Sequence, residues 1–323
     1  MTESAGEKAM VWIHLDALCN GKDVAEVFAD DAVAEIAHPY GTLDGPDQIA
    51  RFYADLRRAL PDATWRPEFF IGGENHPDER MSGTRFSPLV ASLGHWQGTF
   101  TRPLLGIPPT GGVVHLRISE VHHLNEAGEI ARSWILPDFL DLMDQAGCFP
   151  DLPQTGARGM WPGPRYGAGV RMGAASPKSG AISMGRVLDM HQALGIGADV
   201  SNVPMHHWHP NFMYYASAGI GMCRGVEGFR LHHQAPFRAA FPDRHSKGHF
   251  VRIADGPLAV TGGRLYATHS APYLGIPATG QQVHIDVMDF YQFDDDGLII
   301  ENWLPFDILG LAHQMGVNLL PGG

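Results

Sequence analysis

The feature that most constrains this chain is an internal repeat. The segment LGIPPTG at 105–111 returns as LGIPATG at 274–280, and at this shift of 169 residues 105–147 align with 274–316 without a gap. Of these 43 pairs 16 are identical, whereas unrelated sequences agree at roughly one position in fifteen. Upstream the shift becomes 180, which places Gly41 and Gly45 against Gly221 and Gly225. The chain therefore contains two copies of one domain.

We place the first copy at 1–147 and the second at 186–323, with a linker at 148–185. Thirteen of the 36 residues from Pro150 to Gly185 are Gly or Pro, a composition typical of a segment without regular structure. The change of shift from 169 to 180 makes the first copy longer by about eleven residues. We expect the additional residues in a loop within 74–94.

Each copy has the pattern of an α+β domain. The first copy begins with an apolar helical pattern that ends at Asn20-Gly21, followed by the short strand VAEIA and by GPDQIARFYADLRRAL, in which every third or fourth residue is apolar. Four strand-like runs and a short helix complete the copy. The repeated heptad is predicted to be a tight turn between two strands, with its last Gly at positive φ.

Composition excludes several classes of function. The net charge is −12 and the 23 Lys and Arg residues form no basic cluster, so we expect no nucleic-acid partner. No run of eighteen apolar residues is present, and we expect no membrane-spanning segment. The three cysteines lack metal-ligand spacing, and the N-terminal residues lack the pattern of an export signal. A reducing, cytoplasmic compartment is the expectation.

The repeat resembles a known family. Leu-Gly-Ile-Pro-x-Thr-Gly, a strand, Asp/Glu-Gly-x-Ile, Trp-x-x-x-Asp and a Gln-x-Gly ending are together similar to the SnoaL-like polyketide cyclases, which belong to the superfamily of nuclear transport factor 2 and ketosteroid isomerase. The resemblance covers most of both copies and is strongest over 94–147 and 263–316. It implies two tandem cone-shaped domains, each a curved, mostly antiparallel sheet wrapped around helices, with a pocket inside.

The resemblance also carries expectations about assembly and chemistry. Domains of this kind pair through their sheets, so we expect an intrachain pseudo-dimer, and homodimerisation of the whole chain stays open. The named cyclases use an acid/base Asp, no metal and no cofactor for an intramolecular aldol condensation. That Asp position falls on Leu304 and Ile135, and the position of an assisting His falls on Phe290 and Val121. A second family His is matched by His269, where the first copy has Phe100.

His284 and Asp286 are the first candidate catalytic pair. They lie two residues apart on one predicted strand, so both side chains point to the same face, while Val283, Ile285 and Val287 point to the other. If their face lines the cone, the carboxylate would tune the imidazole for acid/base work. The alternative is a pair on the solvated face or at a domain contact. In the first copy Arg117 stands opposite Asp286, so the two copies cannot share this charge arrangement.

Asp307 and His269 complete the candidate catalytic set. Asp307 and its equivalent Asp138 precede the last helix of each copy, where Asp is a favoured N-cap, and a replacement acid/base is the functional alternative. His269 precedes the heptad, and its alternative is a core histidine bonded to the backbone.

Further residues are candidates for binding a small, largely apolar molecule. They are Tyr215, His233, Trp303 and Phe290 in the second copy, and His115, Asp138 and Trp134 in the first. A core role is the alternative for both tryptophans and for His233, which shares a helical face with Phe229 and Phe237. His206, His207 and His209 lie close together, but no metal-binding pattern accompanies them, so we interpret them as a pocket rim.

The functional hypothesis is a metal-free enzyme of the cyclase, isomerase or dehydratase type, acting on a small apolar carbonyl compound in the second copy. The alternative is a non-catalytic binding or pairing module, because Leu304 and Ile135 occupy the cyclase acid/base position. A third reading makes the first copy a scaffold that covers the second.

Overall fold

The computed structural model describes residues 4–81, 83–195, 199 and 204–322. Each copy folds into helices packed on one six-stranded sheet. The elements of the first copy are α1 (Ala5–Cys19), β1 (Phe28–Ile36), β2 (Gly41–Asp44), α2 (Gly45–Ala59), β3 (Thr64–Gly73), β4 (Leu89–Thr99), β5 (Val113–Leu124), β6 (Ile130–Pro137) and α3 (Phe139–Gln145). Those of the second are α4 (Pro177–Leu194), β7 (Trp208–Ala216), β8 (Met222–Arg224), α5 (Gly225–Phe229), a π-helical turn (Arg230–Gln234), α6 (Ala235–Ala240), β9 (His245–Asp255), β10 (Leu258–Thr268), β11 (Gln282–Phe293), β12 (Ile299–Leu304) and α7 (Ile308–Gln314).

The two sheets have the same topology. The strand orders are β2-β1-β6-β5-β4-β3 and β8-β7-β12-β11-β10-β9. The pairs β1/β6 and β7/β12 are parallel, and every other pair within these sheets is antiparallel. This equivalence, strand by strand, confirms the predicted duplication of one α+β domain.

The repeated heptad is the connection between two strands in each copy, as predicted. It joins β4 to β5 and β10 to β11. Its last residue, Gly111 or Gly280, has φ of 68° in both copies, a backbone conformation that glycine adopts without a Cβ clash. The second residue, Gly106, also lies so close to the chain end that a Cβ there would approach the carbonyl oxygen of Pro321 to 2.4 Å.

The two faces of each sheet pack against different partners. In β11, Val283, Ile285 and Val287 belong to the apolar core that includes the helices, whereas Met288 and Phe290 belong to a second core. That second core lies between the two sheets, where Phe69 contacts Phe290 with ring centroids 5.1 Å apart. The domains therefore pair sheet against sheet within one chain.

The segment between the copies differs in part from the predicted linker. Residues 177–185 are helical, because α4 begins at Pro177 with Ser176 as N-cap, accepting a hydrogen bond from Ser179 N. Ser-Pro at a helix start is a recognisable signal, which the Gly and Pro content of the region obscured. The remaining linker residues run along the paired domains and bury Trp161, which is 1% exposed.

The additional residues of the first copy form the long β3–β4 connection, within the predicted 74–94. Asp78 N donates to His249 O at 2.9 Å, and Arg252 Nη2 donates to Asp78 Oδ2 at 2.6 Å. The connection thus contacts the second domain along β9.

In the described part of the chain, no helix is long and apolar enough to cross a membrane.

Candidate functional site

His284 and Asp286 lie on the outer face of the second sheet. The odd-numbered residues Val283, Ile285 and Val287 occupy the interior of the cone, as the alternation predicted, so the even-numbered pair points towards the first domain. Of the two alternatives for this pair, a domain contact is therefore the one observed, and the pair does not line the second cone. The physical reason is that pairing of the domains covers the outer face as well, so burial alone does not identify the inner one.

The surroundings of Asp286 also differ from those expected. Its carboxylate accepts two hydrogen bonds from Arg264, at 2.6 and 3.0 Å. The pKa of His284 is lowered, first by burial and then by the Arg264 charge, which together outweigh the opposite effect of Asp286. Asp286 is thus an ion-pair partner of Arg264, and whether either residue has a chemical role stays a prediction.

Asp138 and Asp307 are N-caps, as the first of their two interpretations proposed. Asp138 Oδ1 accepts from Asp141 N at 3.1 Å, and Asp307 Oδ1 accepts from Gly310 N at 2.8 Å. The second oxygen of each binds a backbone N–H of the other domain, Ala218 N at 3.0 Å and His38 N at 3.1 Å. Both aspartates therefore join helix capping to domain pairing, and an additional acid/base role stays untested.

Burial raises the pKa of Asp307 to about 6, against hydrogen bonds from Gly310 and His38 that lower it. His284, Asp286, Asp307 and Trp134 come together at a cavity of about 360 Å³ between the domains. Three of the four predicted catalytic residues therefore meet in one place, outside either cone, and His269 does not lie with them.

Several predicted binding residues lie in the core between the sheets. Trp303 is fully buried, stacks on Tyr215 at a centroid distance of 5.3 Å, and donates its indole N–H to Pro162 O at 3.1 Å. Phe290 packs on Phe69 in the same core. None of these three lines the cone interior, because their strand positions face the partner sheet.

The remaining predicted residues occupy separate places. His269 is buried beside Phe241, and its Nδ1 is 3.1 Å from Thr279 Oγ1, so it supports the heptad turn. His115 lies on the outer face of β5, 6.1 Å from the ring of His95. His233 is stacked between Phe229 and Phe237, and burial lowers its pKa to about 3.

The helix that carries these side chains is interrupted by the π-helical turn Arg230–Gln234, directly before α6 and its Pro236.

His206 and His207 have rings 4.1 Å apart. Among the residues that the structure describes, no group of three or more His, Cys, Asp or Glu is arranged to hold a metal ion.

A polar cluster that the sequence analysis did not identify lies inside the second cone. Asp289 Oδ1 accepts from Asn302 Nδ2 at 3.2 Å. Asn302 is paired across the sheet with Tyr291 on one side and Tyr214 on the other, so the three side chains share the interior face. Thr261, on β10, is the cross-strand partner of Asp289.

Burial controls the titration of this cluster. The pKa of Asp289 is raised to about 7, because desolvation of the carboxylate outweighs the hydrogen bonds from Asn302 and Tyr291. The pKa of Tyr214 is raised well above its usual value by burial and by the nearby Asp289 charge. Asp289 is partly exposed, whereas both tyrosines are almost fully buried. The cone interior thus holds a carboxyl group with a pKa near neutral pH, with tyrosine hydroxyl groups on the same face of the sheet.

Two histidines adjoin the cluster. His191 Nε2 is 3.2 Å from the hydroxyl of Tyr291, and its ring stacks on His249 at 4.9 Å. Burial lowers the pKa of both imidazoles, that of His249 to about 4. They are therefore neutral groups at pH 7, able to donate or accept a hydrogen bond.

The first cone contains a corresponding but chemically different cluster. At the shift of 169, Glu120 matches Asp289, His122 matches Tyr291 and Ser133 matches Asn302. His122 is fully buried, with Nδ1 2.8 Å from Ser133 Oγ and Nε2 3.4 Å from Glu120 Oε2. Glu120 is only 3% exposed, so this cluster is more closed than the one in the second cone.

A sequence signal for these carboxylates existed. Glu120 and Asp289 recur at one position of the repeat, on strands that are otherwise mostly apolar inside the cone. Glu120 also pairs directly with Ile135, which occupies the position of the cyclase acid/base. Each copy therefore has a carboxylate on the interior face of the sheet, on the strand next to the position that corresponds to the acid/base Asp of the cyclases.

Comparisons with known proteins agree with this architecture. The family model for the SnoaL-like polyketide cyclases matches residues 187–315, and the model for the SnoaL-like domain matches residues 16–133. No curated protein matches the chain significantly.

Among solved structures, the SnoaL-like protein of Jannaschia sp. CCS1 is 21% identical, with a TM-score of 0.38, and covers 46% of this chain and 96% of its own. TsrD from Streptomyces laurentii is 23% identical, with a TM-score of 0.34, and covers 41% of this chain and 96% of its own. Each alignment has the length of a single copy. From the two family-model matches, this chain belongs to the SnoaL-like family, with two such domains in tandem.

Proposed function

We propose that the second cone binds a small, largely apolar carbonyl compound and moves a proton next to its carbonyl group, without a metal. The observation that carries the proposal is the position and pKa of Asp289. A carboxyl group with a pKa of about 7 supplies both protonation states at neutral pH, which is the requirement for an acid/base that first takes and then returns a proton.

The lining of the cone supports an apolar substrate. Phe229, Phe237 and Phe241 lie on the helical side, and Tyr273 lies among them, with its ring centroid 5.2 Å from that of Phe241. A carbonyl compound here would leave water and bury its hydrocarbon part. The same desolvation keeps the pKa of Asp289 high.

Tyr214 is the best candidate to stabilise the oxyanion. Its hydroxyl is buried and, within the described residues, makes no hydrogen bond. A buried hydroxyl without a partner carries an energetic cost, which a ligand oxygen would relieve. A preorganised donor of this kind stabilises the negative charge that develops on an enolate oxygen.

The reaction can be written with these groups. Asp289 in its carboxylate form removes a proton from the carbon next to the carbonyl, and the electron pair moves to the carbonyl oxygen, which Tyr214 binds as an enolate. When the substrate is a β,γ-unsaturated ketone, the enolate is a dienolate, and the Asp289 carboxyl group then returns the proton to the γ-carbon, so that the double bond moves to the α,β position. Asn302 positions Asp289 through the 3.2 Å hydrogen bond. The net change is an isomerisation, with no oxidant and no cofactor consumed.

Deuterium exchange tests the proposal without knowledge of the natural substrate. Aryl and cyclic ketones would be incubated with the protein in D₂O, and loss of the proton signal next to the carbonyl would be followed by NMR. Asp289→Asn is expected to lower the exchange rate about 100-fold or more, since a positioned base contributes roughly 10²–10⁴-fold. Asp286→Asn, three residues away on the outer face, is the matched control and should retain the rate.

The pH profile gives a second readout. Exchange should increase tenfold per pH unit up to about pH 7 and then level off, because the carboxylate form of Asp289 is the base. An equal loss of exchange rate in Asp289→Asn and Asp286→Asn would contradict the proposal, as would the absence of deuterium exchange for every ketone tested.

A non-catalytic binding module is the second candidate. It is favoured by Leu304 and Ile135, buried apolar residues at the acid/base position of the cyclases. In that case ketones would bind the second cone with equal affinity in wild type and Asp289→Asn, and no proton would exchange.

A further inference from the structure

The domain pair has two symmetry-related clefts, and the linker fills only one of them. Because both copies share one fold, each contact at one cleft has a counterpart at the other, obtained by the shifts of 169 and 180 residues. In the filled cleft Ala157 pairs with Met222, Trp303 donates to Pro162 O at 3.1 Å, and Glu301 accepts from Arg165 N at 2.9 Å. The counterparts of these three contact residues are Thr42, Trp134 and Arg132.

All three counterparts line open space. Arg132 and Trp134 line a cavity of about 650 Å³, while Trp134 and Thr42 line the adjoining cavity of about 360 Å³. The two cavities share Glu35, Trp134, Phe250 and Arg264, and so form one interdomain cleft, which we call the open cleft. Residues 157–165 of the linker lie in the filled cleft and not in this one.

The filled cleft indicates which shape fits such a site. Trp161 of the linker is 1% exposed, and the guanidinium of Arg117 lies 3.9 Å from its ring centroid. A planar bicyclic ring thus enters between the domains and is covered by an arginine. In the open cleft, Trp134 stacks on Phe250 at 4.8 Å with an interplanar angle of 22°, which leaves a flat aromatic wall.

The charge at one equivalent position of the two clefts is opposite. Glu301 in the filled cleft binds the basic linker residue Arg165, whereas the equivalent position in the open cleft is Arg132. Five cationic side chains line its larger cavity, Arg80, Arg85, Arg132, Lys247 and Arg264, against one carboxylate, Glu35. This concentration of positive charge is unexpected in a chain with a net charge of −12.

Part of this positive charge is not neutralised. Arg80 is paired with Asp78, and Arg132 and Arg264 both contact Glu35. In the described residues Arg85 and Lys247 form no ion pair, and Lys247 Nζ lies 4.2 Å from the ring centroid of Tyr266. Cations beside a flat aromatic wall attract a planar anion through charge and stacking together.

We propose that the open cleft binds a planar aromatic molecule carrying an anionic group, in the place that Trp161 and its neighbours occupy in the other cleft. The aromatic part lies against Trp134 and Phe250, and the anion is held by Arg132, Arg85 and Lys247. This site is separate from the cone interior, and its existence does not depend on the proposed catalysis.

Calorimetric titration of the full chain with 2-naphthoate tests the proposal. Binding of one equivalent is expected, at least tenfold tighter than that of the neutral isostere 2-naphthamide. 2-Naphthyl phosphate distinguishes a preference for a phosphate from one for a carboxylate. Arg132→Gln should weaken naphthoate binding at least tenfold.

The double variant Arg85→Gln/Lys247→Gln changes only exposed side chains, so it tests the same charge without a risk to folding. It should also weaken naphthoate binding, while Arg58→Gln, at an exposed ion pair with Asp55, should not. Asp289→Asn, inside the cone, should leave the affinity unchanged. Equal affinity for acid and amide, an affinity insensitive to both cleft variants, or no binding of either compound would overturn the proposal.

Discussion

At the scale of single residues, environment rather than residue type separates the aspartates of β11. Asp286 and Asp289 are three positions apart on one strand and point to opposite faces. Asp286 accepts two hydrogen bonds from Arg264. The pKa of Asp289 is raised to about 7, mainly by desolvation of its carboxylate. Position on the sheet therefore sets the environment of each carboxyl group.

The raised pKa of Asp289 predicts a pH-dependent cost in stability. The folded-state pKa lies above the unfolded value, so between about pH 4 and pH 7 the unfolded chain loses its proton first and the folded state becomes less stable as pH rises. Asp289→Asn removes the charge. We expect it to stabilise the protein by about 1–3 kcal/mol above pH 7 and to have little effect near pH 4.

Urea denaturation at pH 4.5 and pH 8 measures this difference. Asp295→Asn, on the exposed turn after β11, is the control, because it removes no buried charge. If Asp289→Asn increased the free energy of unfolding by the same amount at both pH values, the desolvation argument would be contradicted.

At the scale of secondary-structure elements, the last helix of each domain is attached to the partner domain through its N-cap. Asp138 and Asp307 each use one oxygen for the cap and the other for a backbone N–H across the interface. This aspartate therefore has the same two structural roles in both copies.

The two caps are expected to differ in energetic weight. Asp307→Ala loses a cap and one interdomain hydrogen bond, which we expect to cost about 1–2 kcal/mol. Asp138→Ala also deprives the buried Arg117 of one of its two carboxylates, at 2.7 Å, while Asp141 remains at 2.8 Å, and should cost more, about 2–4 kcal/mol. Chemical denaturation of both variants measures the difference, and equal costs would argue against a role for the Arg117 ion pair.

At the scale of the whole molecule, the linker is part of the interface between the domains. It pairs with β8 through Ala157 and with β3 through Val170, and it buries Trp161 between the two sheets. The domains, joined by this segment and by a shared apolar core, should unfold in a single transition.

Trp161→Ala tests the contribution of the linker. Removal of a buried tryptophan typically costs about 3–5 kcal/mol, and differential scanning calorimetry should show a single transition shifted to lower temperature. Tyr166→Ala is the matched control, since Tyr166 lies on the same segment and is 91% exposed. A transition that is unchanged by Trp161→Ala would mean that the linker does not contribute to domain pairing.

The sequence by itself determined the duplication, the order of helices and strands apart from the short strands β2 and β8, the heptad turn, the N-cap aspartates and the family. These features depend on local periodicity, turn residues and a direct comparison of one copy with the other. The start of α4 at Pro177 was also readable, because Ser-Pro marks a helix N-terminus, although the Gly and Pro content of the region suggested a linker.

Only the tertiary structure decided which face of each sheet lines the cone. All six residues of β12 are buried, because helices cover one face and the partner sheet covers the other. Alternation then separates the faces but does not identify the inner one, so the sequence left open whether His284 and Asp286 or the opposite face with Asp289 lines the interior. The open cleft was equally hidden from the sequence, because it exists only where two domains meet and one linker fills one of two equivalent places.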